Sequence, residues 1–168
     1  QLATGAVVTD ANSLGSAGAA VPGSAAQTST CAQEQGLASI ILADGPAGLR
    51  LSPSYQVEKG QILPVAPEMT MENGFFCKNP PEKRGTTYYQ YTTAIPVGTL
   101  LAQTWDVELV EECGKAVAEE MQEFGITLWL APGMNIHRNP LCGRNFEYYS
   151  EDPVVSGRIA SAITKGVQ

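Results

Sequence analysis

Apolar and polar positions along the chain fall into short blocks that change in character. Ser39-Ile40-Ile41-Leu42-Ala43 is a brief apolar run stopped by Asp44-Gly45-Pro46, the pattern of a buried strand meeting a turn. Between Val107 and Phe124, Leu109, Val110, Cys113, Val117, Met121 and Phe124 recur at helical spacing, which predicts an amphipathic helix. Asp106 is suited to cap it, Glu108 in the first turn complements the helix dipole, and Gly125 provides the stop. Ile126-Thr127-Leu128-Trp129-Leu130-Ala131 predicts a second buried strand. A last helix is expected from Pro153 to Gly166, introduced by Ser150, Glu151 and Asp152. The order strand, loop, helix, strand, loop, helix is the α/β signature of a parallel sheet.

Two regions lack this order. The opening stretch is dominated by Gly, Ala, Ser and Thr, as in Gly15-Ser16-Ala17-Gly18-Ala19-Ala20-Val21-Pro22-Gly23, and can bury little surface. It predicts an extended or irregular arm, followed by a short helix over Thr30–Gln35 closed by Gly36. From Leu51 to Pro96 the chain is rich in Pro, Gly and Tyr without a sustained period. An unpatterned stretch of that length inside a domain is uncommon and tends to be functional. Its cluster Tyr88-Tyr89-Gln90-Tyr91 is compatible with a lid or with an apolar plug.

Composition narrows the classes. With 168 residues the chain is too short for a complete (β/α)₈ barrel, which takes about 250. A hydrophobic content of 43% can form a core, while 17 Gly and 11 Pro imply many loops. A net charge of −7 disfavours nucleic acid and anionic membrane surfaces as partners. No run of about 18 apolar residues offers a membrane span, and no Lys/Arg-led apolar stretch marks a signal peptide. Gln1 in the place of Met leads to the expectation that translation began further upstream. Cys31, Cys77, Cys113 and Cys142 are widely scattered and His137 is the only histidine, so no metal site is expected and four reduced thiols are. The absence of any N-x-[ST] acceptor suits a bacterial or cytoplasmic protein; whether it stays in the cell or is secreted is left open.

Chemistry concentrates just after the two expected strands, where α/β enzymes place their sites. Asp44 opens Asp44-Gly45-Pro46-Ala47-Gly48-Leu49-Arg50. It reads either as a turn aspartate capping its own backbone or, with Arg50, as a carboxylate and guanidinium suited to vicinal hydroxyls of a polyol. The second loop, Asn135 to Asp152, carries Glu147, Glu151, Asp152, Arg138, Arg144, His137, Phe146, Tyr148 and Tyr149. That density suggests a cleft in which aromatics face sugar rings or bases, with at least one of Arg138, Arg144 and Glu147 engaged in holding the loop. His137 has no G-x-S-x-G serine or recognisable cysteine partner and reads as a satisfied structural histidine. Gly45-Pro46-Ala47-Gly48 matches neither a dinucleotide nor a phosphate-binding fingerprint.

The string Ala43-Asp44-Gly45-Pro46-Ala47-Gly48-Leu49-Arg50 and the block from Asn135 to Pro153 resemble the amino-terminal barrel domain of glycoside hydrolase family 3. Pro96 and Ala102-Gln103-Thr104-Trp105-Asp106 extend the resemblance, which spans Ala38 to Gln168 and is weakest over Leu51–Tyr91. It implies a partial (β/α)₈ TIM barrel: the first two βα units, with a Gly/Ala-rich N-terminal arm and a long inserted loop. Residues 1–37 would be the arm and a short helix packing on the barrel. Residues 38–168 would be the first part of the catalytic barrel domain, with 51–95 the insertion. The rest of the barrel and an α/β sandwich domain would lie elsewhere in the enzyme, as the chain's partner.

The resemblance further implies a fragment of a retaining, exo-acting β-glucosidase that cleaves terminal non-reducing β-D-glucosyl residues, needs no cofactor, and takes a β-glucoside or short β-linked oligosaccharide. By it, Asp44 and Arg50 belong to subsite −1, Arg144 contacts the same sugar, Glu147 orients the arginines, and His137 and Arg138 form the loop. Glu151 and Asp152 would begin the next helix. Retaining hydrolysis needs two carboxyl groups about 5–5.5 Å apart. The family takes its nucleophile from an aspartate on a later strand and its acid/base usually from a sandwich-domain glutamate, and neither motif occurs here. The Lys-His pair expected soon after Gln168 is also missing, so the isolated chain is expected to be inactive. Alternatives are a noncatalytic carbohydrate-binding or regulatory fragment, a β-xylosidase or other exo-glycosidase of the family, and a fragment unable to fold alone.

Overall fold

The computed structural model describes residues 20–28, 33–63 and 84–168. Within them the chain divides into two units. Of the described residues, the first draws on 20–28, 33–44, 50–63, 84–92 and 124–129, the second on 45–49, 93–123 and 130–168. The architecture is mixed α/β. Among the described residues no helix is long and apolar enough to cross a membrane.

Among its described residues the first unit holds two small sheets. Strand β1 (Ala26–Gln27) runs antiparallel to β2 (Ile41–Ala43), and β2 in turn pairs in parallel with β6 (Leu128–Trp129). The expected parallel pair is therefore present, in the register Leu42 to Leu128 and Ala43 to Trp129. Both strands are shorter than the apolar runs predicted. A ladder extends only as far as its partner, and Thr127 N–H to Ile41 O (2.9 Å) opens this one at its N-terminal end. Ala43 and Trp129 are buried where the two strands meet.

The second sheet corrects an expectation. Residues 51–95, read as a long inserted loop, hold β3 (Ser54–Glu58), β4 (Gln61–Ile62) and β5 (Thr86–Tyr89), antiparallel in the order β4-β3-β5. Lys59 and Gly60 link β3 to β4 with positive φ at both (51° and 78°), the backbone twist that closes a two-residue hairpin. On β5, Tyr88 stacks on Tyr55 with centroids 5.7 Å apart, and the exposed Tyr89 lies 6.1 Å from Tyr91 with rings nearly parallel.

The arm is only partly described: residues 1–19 and 29–32 lie outside the described residues, and with them Cys31 and the first half of the expected helix over Thr30–Gln35. Its end is a single 3₁₀ turn, Gln33–Gln35. Cys77 is likewise outside; Cys113, half-buried, and Cys142, exposed, are free thiols.

Three helices form the second unit: α1 (Gly98–Gln103), α2 (Val107–Phe124) and α3 (Pro153–Val167). The bounds of α2 match its periodic pattern, and the Leu109 N–H donates to Asp106 Oδ1 (3.0 Å). Asp152 caps α3 by accepting from Val154 N–H and Val155 N–H at 2.7 and 3.3 Å. Short α1 was not foreseen. Val97, which precedes it, has no side-chain cap to offer, so α1 rests on tertiary packing rather than on local signals. Its Leu101 and Ala102 are buried with Val110 and Val117 of α2 and Ile159 and Ile163 of α3. Helices α2 and α3 meet at Gly114 and Gly166, where a Cβ on Gly114 would lie 2.4 Å from Ile163 O.

Candidate functional site

The first candidate loop begins where β2 ends. Arg50 N–H donates to Asp44 O (2.9 Å), so the chain leaving Asp44 returns beside it. The same two residues join through their side chains as an ion pair, each about one-third exposed (Asp44 30%, Arg50 37%). A carboxylate has two oxygens and roughly four acceptor positions, so one arginine contact leaves it able to accept from hydroxyls. Between them, Gly48 takes φ +114°, and a Cβ there would lie 2.2 Å from Thr93 O. That close seating, with Ile95 N–H donating to Ala47 O (2.9 Å), requires glycine at this position.

The second loop, after β6, is built around a buried carboxylate. A 3₁₀ turn, Asn145–Glu147, carries Glu147, which is only 7% exposed. Its Oε1 accepts from Arg144 Nε, while the Arg144 side chain is 70% exposed. Burying a carboxylate is costly unless it is paired and hydrogen-bonded, and Arg144 supplies both. That hydrogen bond, with the charge of Glu147, holds the guanidinium above its ordinary pKa, so it stays a cation. The guanidinium carbon also lies 5.8 Å over the Tyr148 ring, within range of a cation–π contact. Arg144 is thus fixed at Nε and faces solvent with the rest of its fork.

What holds the turn itself comes from α1. A Cβ on Gly98 would fall 2.3 Å from Glu147 O, so only glycine lets the turn sit this close. Next to it, the Thr99 hydroxyl lies 3.0, 3.2 and 2.9 Å from the carbonyls of Asn145, Phe146 and Tyr148. Sequence reasoning did not single out Thr99. Its partners lie far along the chain, and no local pattern announces the contact.

His137 and Arg138 lie upstream in the same loop. His137 N–H donates to Ser150 O (3.2 Å), and its ring is 6.4 Å from that of Tyr148. The expectation of a satisfied histidine needs correction: Nε2 is buried without a hydrogen-bond partner. The ring is held by packing and by its own backbone instead. Arg138 is exposed and lines an open cleft of about 710 Å³ with Met134, Asn135, Ile136, Asn139, Cys142, Asn145 and Tyr148. That volume falls within the range of small-molecule sites. Tyr149, beside the turn, is buried, and desolvation raises its phenol pKa.

Residues 82–168, about half of the chain, match the model of the glycosyl hydrolase family 3 N terminal domain. The chain belongs to glycosyl hydrolase family 3. Arg144, Glu147, His137 and Arg138 lie inside the matched span; Asp44 and Arg50 lie before it. The family 3 chain is 38% identical over 135 residues to beta-glucosidase A of Butyrivibrio fibrisolvens, covering 80% of itself and 12% of that protein. To the thermostable beta-glucosidase B of Acetivibrio thermocellus it is 39% identical over 133 residues, covering 79% of itself and 14% of the relative. Its fold is shared with beta-glucosidase 3B of Thermotoga neapolitana, solved in complex with glucose, at a TM-score of 0.66 and 47% identity, over 88% of this chain and 17% of that one. The family 3 chain therefore spans about an eighth of the length of these two sequence relatives.

Proposed function

We propose that this chain is the sugar-binding part of a retaining, exo-acting β-glucosidase, forming the first two βα units of its (β/α)₈ barrel. Asp44 accepts from hydroxyls of the terminal sugar and Arg50 holds Asp44 in place. Arg144 donates to the same sugar and Glu147 sets its direction, while His137 and Arg138 shape the loop. The nucleophile and the acid/base come from the remainder of the enzyme. The observation that carries this reading is the Arg144–Glu147 pair, an exposed guanidinium anchored on a buried carboxylate, within the span matched to the family. An arginine fixed at one nitrogen keeps its outer donors for a ligand at little further entropic cost.

Asp44 and Glu147 are each paired with an arginine. That suits binding and orientation rather than covalent attack. Transition-state stabilisation by such groups requires that their hydrogen bonds tighten as the sugar ring distorts.

A second reading has its own support. The chain is 33% identical over 136 residues to an exo-alpha-(1->6)-L-arabinopyranosidase of Bifidobacterium longum, so the terminal sugar could be a pentose instead of glucose. Aryl glycosides of both sugars separate the two.

The test is Asp44→Ala in the complete enzyme. Removing the carboxylate leaves sugar hydroxyls and Arg50 without their partner, and turnover of aryl β-glucosides is expected to fall on the order of a hundredfold or more. Wild-type turnover in that variant would sink the assignment.

A further inference from the structure

We propose that Thr99 is a positioning residue for the sugar-binding arginine. This rests on the reading of Arg144 given above. The Thr99 hydroxyl has one proton and stands within 3.2 Å of three carbonyls, those of Asn145, Phe146 and Tyr148. These carbonyls bracket Glu147 on both sides. Glu147 is buried and grips Arg144 at Nε. Gly98, the preceding residue, lets the turn seat against the start of α1 with only the room a hydrogen atom takes, because a Cβ would meet Glu147 O at 2.3 Å. The contacts therefore form one line: hydroxyl to backbone of the turn, turn to carboxylate, carboxylate to guanidinium. No member but Arg144 needs to touch a sugar.

Geometry of this kind matters more than its contact energy suggests. A displacement of about 1 Å in a group that aligns substrate can lower turnover as much as a hundredfold. Thr99→Val keeps the shape of the side chain and deletes the donor, so the turn loses its tether while the packing around it is retained.

The experiment measures kcat and KM on an aryl β-glucoside, and inhibition by glucose, in the complete enzyme. Thr99→Val is expected to lower kcat/KM about tenfold or more and to weaken glucose inhibition in parallel. Thr99→Ser, which restores the hydroxyl, should stay within about threefold of wild type. In an Arg144→Ala background Thr99→Val should add less than about twofold, since its effect runs through that arginine. If Thr99→Val fails to fold, Thr99→Ala introduces no bulk and carries the same expectations. Full activity in the variant lacking the hydroxyl, or an undiminished effect when Arg144 is already gone, would overturn the proposal. Should Arg144→Ala itself keep wild-type kcat/KM, the functional reading fails and this inference with it. Should Arg144→Ala lose activity while Thr99→Val does not, only the role of Thr99 is refuted.

Discussion

Burial at Tyr149 and pairing at Glu147 give neighbouring side chains opposite dependences on their surroundings. Glu147 is enclosed as a charged group because Arg144 accompanies it. Tyr149 is enclosed as a neutral one, and desolvation raises its pKa. In the unfolded chain the phenol ionises near pH 10. Above that pH the unfolded state binds fewer protons than the folded state, so stability declines as pH rises, by up to roughly 1.4 kcal/mol per pH unit for this one group. Below pH 10 its contribution is fully present. Tyr149→Phe should therefore flatten part of the alkaline loss of thermal midpoint between about pH 10 and 12 while leaving the midpoint's pH profile near neutrality unchanged. An identical alkaline slope in both proteins would rule this out. The same neighbourhood shows how far a site can be seen in sequence. Arg144 and Glu147 stand three residues apart in a loop crowded with charge, so their involvement was readable; the direction of each side chain was not. Thr99 lay in an unremarkable Val-Gly-Thr, and the enclosed Nε2 of His137 follows from packing that no local motif encodes.

Among the elements, glycine has opposite meanings in two helices that otherwise look alike. Gly114 sits in α2 where a Cβ would meet the backbone carbonyl of Ile163 at 2.4 Å, and no rotamer change can relieve a clash with backbone. Gly157 sits on an exposed part of α3 with nothing within 4 Å. Gly114→Ala should lower stability by about 1–3 kcal/mol through overpacking. Gly157→Ala should raise it by about 0.5–1 kcal/mol, because alanine loses less backbone freedom in a helix. Thermal or denaturant midpoints of the complete enzyme check both, and two shifts of the same sign would refute the packing assignment. The long helices were legible because their signals are local: caps at Asp106 and Asp152 and an apolar stripe through α2. Strand lengths were not, since a strand ends where its neighbour does, and β2 offers three residues. Strands β3 to β5 escaped for a different reason. Ser54-Tyr55-Gln56-Val57-Glu58 does alternate, but its hairpin turn is Lys59-Gly60 rather than an Asn-Gly or Asp-Gly signal.

For the molecule as a whole, the governing fact is how small a share of its relatives this chain represents. At 12% and 14% of two β-glucosidases it covers too little for an independent catalyst of their kind. Retaining chemistry needs a free carboxylate nucleophile and a second carboxyl group that gives and takes a proton. Asp44 and Glu147, the two carboxylates of the candidate site, are each bound to an arginine. Stability points the same way. The sheet formed by β1, β2 and β6 ends on a two-residue strand whose Leu128 is 42% exposed. An open edge beside exposed apolar surface invites association instead of a single folded state. The 168-residue chain on its own should therefore hydrolyse aryl β-glucosides no faster than buffer and should unfold without one sharp thermal transition. In the complete enzyme the amide of Leu128, which faces away from β2 because that of Thr127 donates to Ile41 O, should become protected in hydrogen exchange as a neighbouring strand extends the ladder. A cooperative melt of the isolated chain would show that two βα units suffice for folding. Glucosidase activity from it would show that carboxylates of this chain perform chemistry here assigned to the remainder of the enzyme.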